Sequence, residues 1–153
     1  MAIMDALYEF SDAQALASIS SGSSTVSTNV TDMGANGEDG WGNALTTKIG
    51  QGGQLVCNLT LAAALVGASA AIIATLVTKA SSASISSGAT EIGRATIAAT
   101  AAAGNRYTIP VPPGDTQRYI GVLYTASGGK LTSATVNAWI GHDTAVNMDL
   151  TNG

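Results

Sequence analysis

An all-β fold, an antiparallel β-sandwich preceded by an N-terminal arm, is what this sequence predicts, and three observations predict it. Apolar residues recur at every second position in several separate stretches, the period of a half-buried strand. Turn-forming glycines, 18 in 153 residues, punctuate those stretches. Aromatic residues make up only 5%, so the core has to be assembled from small and β-branched side chains, which suit a pleated sheet. The length fits one ordinary domain.

Residues 1–19 read as the arm. Ser11 followed by Gln14 has capping-box spacing ahead of Ala15–Leu16–Ala17, so this stretch is either one or two helical turns or an extended segment. The sandwich is expected over residues 20–141. Its first strand begins near Thr25, with Val26, Thr28, Val30 and Asp32 on one face and Ser27, Asn29, Thr31 and Met33 on the other. A long Gly-rich loop follows, Gly34 to Gly53. Gln54–Leu61 alternates cleanly, with Leu55, Cys57, Leu59 and Leu61 inward. Leu61 to Val77 is apolar enough to raise a membrane-spanning helix, but Gly67–Ala68–Ser69 interrupts it and no aromatic or basic anchors flank it. Two strands joined by a short turn are expected there, the second over Ala70–Lys79.

Further strands are expected at Arg94–Thr100, Tyr107–Val111, Arg118–Ala126 and Ser133–Gly141, separated by Gly104–Asn105, Pro112–Pro113–Gly114–Asp115 and Ser127–Gly128–Gly129. In the last strand Val136, Ala138 and Ile140 share one face, and Thr135, Asn137 and Trp139 the other. Residues 142–153 form a polar tail. About seven strands result.

Charged residues are 10% of the chain against a usual ~25%, so broad neutral surfaces are expected that a partner covers. The six Lys and Arg are scattered, which argues against a nucleic-acid partner, and no membrane partner is expected either. One cysteine excludes an intrachain disulfide and a thiolate metal cluster. Residues 1–10 lack the basic start of a signal peptide, so the sequons at Asn29 and Asn58 are chance matches.

Catalytic and metal-binding groups come singly. His142 has only Asp143 beside it, and one ligand makes no site. Cys57 alternates with Leu55 and Leu59 and behaves as a small buried hydrophobe. Asp32, Asn36, Glu38 and Asp39 miss the spacing of a calcium loop, so they are expected to be solvated acids. No cofactor, metal or enzymatic activity is expected. The candidate interface residues are Phe10 in the arm, Trp41 in the Gly-rich loop and Trp139 on the closing strand. Each tryptophan either anchors a partner or folds back onto its own sandwich.

Phe10–Ser11–Asp12–Ala13–Gln14–Ala15, followed by Val26–Ser27–Thr28–Asn29–Val30–Thr31–Asp32–Met33–Gly34, resembles the opening of the capsid cement (decoration) proteins of short-tailed bacteriophages. Arg118–Tyr119–Ile120–Gly121–Val122–Leu123–Tyr124 and Val136–Asn137–Ala138–Trp139–Ile140 resemble that family's last two strands. The resemblance implies a jelly roll that forms a homotrimer, binds the major capsid protein on the outer capsid surface of the virion, and carries no catalytic residues. The long Gly34–Gly53 loop and the Ala-rich middle, Ala62–Ala71, depart from the pattern. A carbohydrate- or ligand-binding jelly roll of the phage-fibre or lectin type is the alternative. A cupin-type enzyme would need several histidines.

Overall fold

Among the described residues nine strands pair antiparallel in two sheets. The computed structural model describes residues 8–33, 55–81, 85–112 and 116–142. In chain order the strands are β1 Glu9–Ala17, β2 Ser24–Val26, β3 Thr31–Asp32, β4 Leu55–Gly67, β5 Ala71–Lys79, β6 Thr90–Ile97, β7 Arg106–Pro110, β8 Tyr119–Ser127 and β9 Leu131–His142. One sheet has the order β1-β9-β4-β7. The other runs β2-β8-β5-β6, with β3 also paired to β8.

β2 and β3 follow one another along β8 and act as one interrupted strand. With them merged, the ladders β1·β9, β2/β3·β8, β4·β7 and β5·β6 are nested, first strand with last and inward from there. A single long hairpin rolled over on itself produces this order, and it is the jelly roll. The expected sandwich class is what the chain adopts.

Alternation sets which side chains enter the core. Cys57, Leu59 and Leu61 of β4, with Val136 and Ala138 of β9 beside them, join Ile72, Ala74 and Leu76 of β5 and Ile120, Val122 and Tyr124 of β8 in one apolar cluster. Each large apolar side chain so buried contributes about 1.5–3 kcal/mol. The Gly67–Ser69 turn separates β4 from β5 as expected, and no helix among the described residues is long and apolar enough to cross a membrane.

The arm needs correction. Glu9–Ala17 is a full member of the first sheet, with Phe10 and Leu16 in the core. The sandwich therefore begins before residue 20. Ser11 and Gln14 do meet, the Ser11 Oγ donating to Gln14 Oε1 at 2.6 Å, but inside a β-bulge rather than at a helix start. Ala13 at the bulge sits at φ 44, a region that costs a non-glycine residue about 1–2 kcal/mol. The neighbours hold it there. Ala13 N donates to Asn137 Oδ1, and the Tyr124 hydroxyl is hydrogen-bonded to Ser11 Oγ at 2.8 Å. Gln14 stitches β1 to the next segment, donating from Nε2 to Val26 O at 2.8 Å and accepting from Thr28 N at 3.0 Å.

Smaller corrections concern boundaries. The strand expected over Arg94–Thr100 lies three to four residues earlier, at Thr90–Ile97. The single strand near Thr25 is broken by residues 27–30, where the chain swings past the first sheet and Asn29 N bonds Phe10 O at 2.8 Å. β9 reaches His142, one residue into the expected tail; residues 143–153 lie outside the described part.

Candidate protein-interaction surface

The three candidate anchors separate. Phe10 is 0% exposed and packs in the core, so it stabilises β1 rather than meeting a partner. Trp41, with the rest of residues 34–54, lies outside the described residues. Trp139 is half-buried on the outer face of the first sheet, paired with Glu9 on one side and Asn58 on the other. Its indole lies along its own strand, so close that a Cβ on Gly141 would stand 3.5 Å from Cδ1. Of the two readings for this tryptophan, folding back onto the sandwich accounts for much of its surface.

Sequence reasoning did not reach the outer face of the second sheet. Side chains there form two transverse rows, Val26–Leu123–Thr75–Arg94 and Ser24–Thr125–Ile73–Thr96. Val26, Leu123 and Ile73 are half-buried by their neighbours. Within these two rows the one charge is Arg94 at the β6 rim, which pairs with Glu91 at 3.0 Å; Asp32 and Lys79 lie two rows further along the same face, on either side of Tyr119. The signal was present in the alternation of Arg118–Ala126, but only the strand order lines the rows up.

At one end of the sandwich Tyr8, Met33, Leu55, Ile140 and Gly141 line an apolar recess of about 300 Å³. It has room for an apolar side chain, and Tyr8 at its rim is 44% exposed.

Among the described titratable groups, Arg118 and Cys57 stand out by their surroundings. Arg118 grips Asp32 with two 2.8 Å bonds, Nε to Oδ1 and Nη2 to Oδ2, and lies 5.0 Å over the Tyr119 ring. The hydrogen bond to Asp32 raises the Arg118 pKa further. Solvent screens an exposed pair of this kind, so it adds little to stability. It also occupies both oxygens of the acid that the calcium reading needed first; Asn36, Glu38 and Asp39 lie outside the described residues. Among the described residues, no three His, Cys, Asp or Glu cluster as a metal site.

Cys57 is buried, as its alternation predicted, and burial pushes its thiol up to about 12. The folded-state value lies above the unfolded 9.0, so the neutral thiol contributes stability below pH 9 that is lost as the pH rises towards 12. In denaturant titrations the stability gap between wild type and Cys57→Ala is therefore expected to narrow between pH 9 and pH 12, by about 4 kcal/mol at most. A constant gap would show that Cys57 ionises in the folded protein as freely as in the unfolded chain.

Compared with known proteins, the chain matches the Bbp16 family model over residues 10–140, from β1 almost to the end of β9. It belongs to the Bbp16 family. This family is phage-related, in agreement with the phage association that the Phe10–Gly34 motif implies. The Bbp16 match starts at Phe10, in keeping with β1 as part of the folded unit rather than an appendage. No curated protein matches the chain.

Proposed function

We propose that this Bbp16-family protein is a capsid cement protein: a non-enzymatic homotrimer that binds the major capsid protein on the outer surface of a phage shell and stabilises it. The two charge-poor rows across the outer face of the second sheet are the observation that carries this reading. Solvent-facing surfaces of free-standing domains are normally about 25–35% charged. Here two rows across four strands present Val, Leu, Ile, Thr and Ser, with Arg94 at the rim as their one charge. Such a face gains by leaving water against a partner. Three copies held together attach with avidity, because each bound subunit raises the effective concentration of the others at the shell.

Shells of the parent phage prepared without this protein provide the test. Purified protein is expected to co-sediment with them and to raise their melting temperature. Leu123→Glu, on the outward face, is expected to remain folded and lose attachment. Wild-type protein that never sediments with such shells, or that binds glycans as a monomer instead, would overturn the reading.

A further inference from the structure

We infer that residues 1–7 of this chain fold back over the apolar recess at one end of the sandwich and seal the core there with their own side chains. The inference goes beyond the shell-binding reading and does not depend on it.

A sandwich buries apolar side chains between its sheets, but at each end the space between the sheets opens to water unless something crosses it. At the Gly67 end of β4 the main chain closes this space. Residues 18–23 cross there from β1 in the first sheet to β2 in the second. Ile19 is buried on the way, and its carbonyl accepts from Leu131 N at 2.9 Å. Ala70 and Leu131 are fully buried, and the β4–β5 and β8–β9 turns lie backbone against backbone.

The Leu55 end of β4 is built differently. Tyr8, Met33, Leu55, Ile140 and Gly141 enclose the recess of about 300 Å³. Tyr8, Leu55 and Ile140 come from or adjoin strands of the first sheet, while Met33 follows β3 of the second. Met33, Leu55 and Ile140 also pack against the core cluster, so the recess is the open end of the core itself. Water in it meets a hydrocarbon wall with few hydrogen-bond partners, and an apolar side chain fills it better.

The sequence names the filling. Residues 1–7, 34–54 and 143–153 join the described chain at this rim: at Tyr8, at Met33 and Leu55, and just past Gly141. Residues 1–7 hold four large apolar side chains, Met1, Ile3, Met4 and Leu7, against one acid, Asp5. Residues 143–153 hold three in eleven, and residues 34–54 three in twenty-one among seven glycines. The densest of these segments gains most per residue by leaving water. It also loses least in loop closure, because it is tethered to a residue of the wall. Tyr8 has the turn geometry of a 3-10 helix, so the chain enters β1 by a bend rather than along a straight extension of the strand. A segment returning over the recess covers the Tyr8 ring as well, which is otherwise 44% exposed.

NMR of the full chain with labelled Ile, Leu and Met methyl groups tests the assignment. Through-space cross-peaks are expected from the methyls of Ile3, Met4 and Leu7 to those of Met33, Leu55 and Ile140. The double variant Ile3→Asp, Met4→Asp is expected to stay folded by circular dichroism and to lose these cross-peaks. It is also expected to bind the apolar dye anilinonaphthalene sulfonate, which the wild type leaves in solution. Recess methyls that contact residues 34–54 or 143–153 instead would overturn the inference. So would contacts to a second copy, seen in a mixture of labelled and unlabelled chains, or recess methyls with no neighbour from residues 1–7. If the double variant does not fold, the wild-type spectrum alone decides.

Discussion

Val136→Asp is expected to unfold the protein. Val136 is 1% exposed on β9, paired with Leu61 of β4 and Gln14 of β1, in a cluster that is apolar throughout. A carboxylate there loses its hydration without gaining a cation, which costs on the order of 3–5 kcal/mol. Loss of the valine's own burial adds about 1.5–3 kcal/mol. Together these approach the whole stability of an ordinary domain, about 5–15 kcal/mol. Circular dichroism with a denaturant titration reads the effect. Asn137→Asp, one residue along and on the outer face, keeps an oxygen acceptor for Ala13 N and is expected to cost about 1 kcal/mol or less. Equal losses in the two variants would mean that β9 is placed in the wrong register.

Gly129→Ala is expected to be nearly as damaging, for a steric reason. A Cβ at this position would lie 2.0 Å from the Ala68 carbonyl oxygen and 3.2 Å from its carbon. The obstacles are backbone atoms of the β4–β5 turn, which cannot swing aside as a side chain tip would. Gly67 also approaches the other turn closely, its Cβ position 2.8 Å from Lys130 O. The two turns at this end of the sandwich are thus packed backbone to backbone, and prising them apart strains β4, β5, β8 and β9 at once. A loss of about 3 kcal/mol or more follows, at the upper end of overpacking effects. Gly22→Ala is the control: it has φ 81 but nothing within 4 Å, so only the conformational penalty of about 1 kcal/mol applies. Thermal melts of the two variants compare them directly. Equal shifts would remove the packing explanation.

Strand content and the identity of most core residues were legible in the chain itself. Alternation is a property of one strand: whichever neighbour it acquires, Cys57, Leu59 and Leu61 stay on one side of β4, and Val136 and Ala138 on one side of β9. The burial of Cys57 followed for the same reason. β1 was not legible, because its bulge breaks the alternation and Ser11 with Gln14 mimics a helix cap. Nor was the path of Ala62–Ala64, where three methyl groups give no preference for a face and β4 slips register against β9. Phe10 illustrates the consequence: an aromatic assigned to an N-terminal arm is a core residue once β1 joins the sheet.

The jelly roll itself was expected only through a resemblance, since strand order is set by contacts between residues far apart in the chain. Ser11 and Tyr124, 113 residues apart, are hydrogen-bonded in the core. The charge-poor rows on the second sheet are of the same kind. Each brings together four strands whose order no local pattern records. The sequence by itself determined which side of each regular strand would be buried, because that depends on side-chain hydropathy at period two. Only the tertiary structure decided which strands became neighbours, because that choice balances the loop-closure entropy of every long connection against the packing of the whole core.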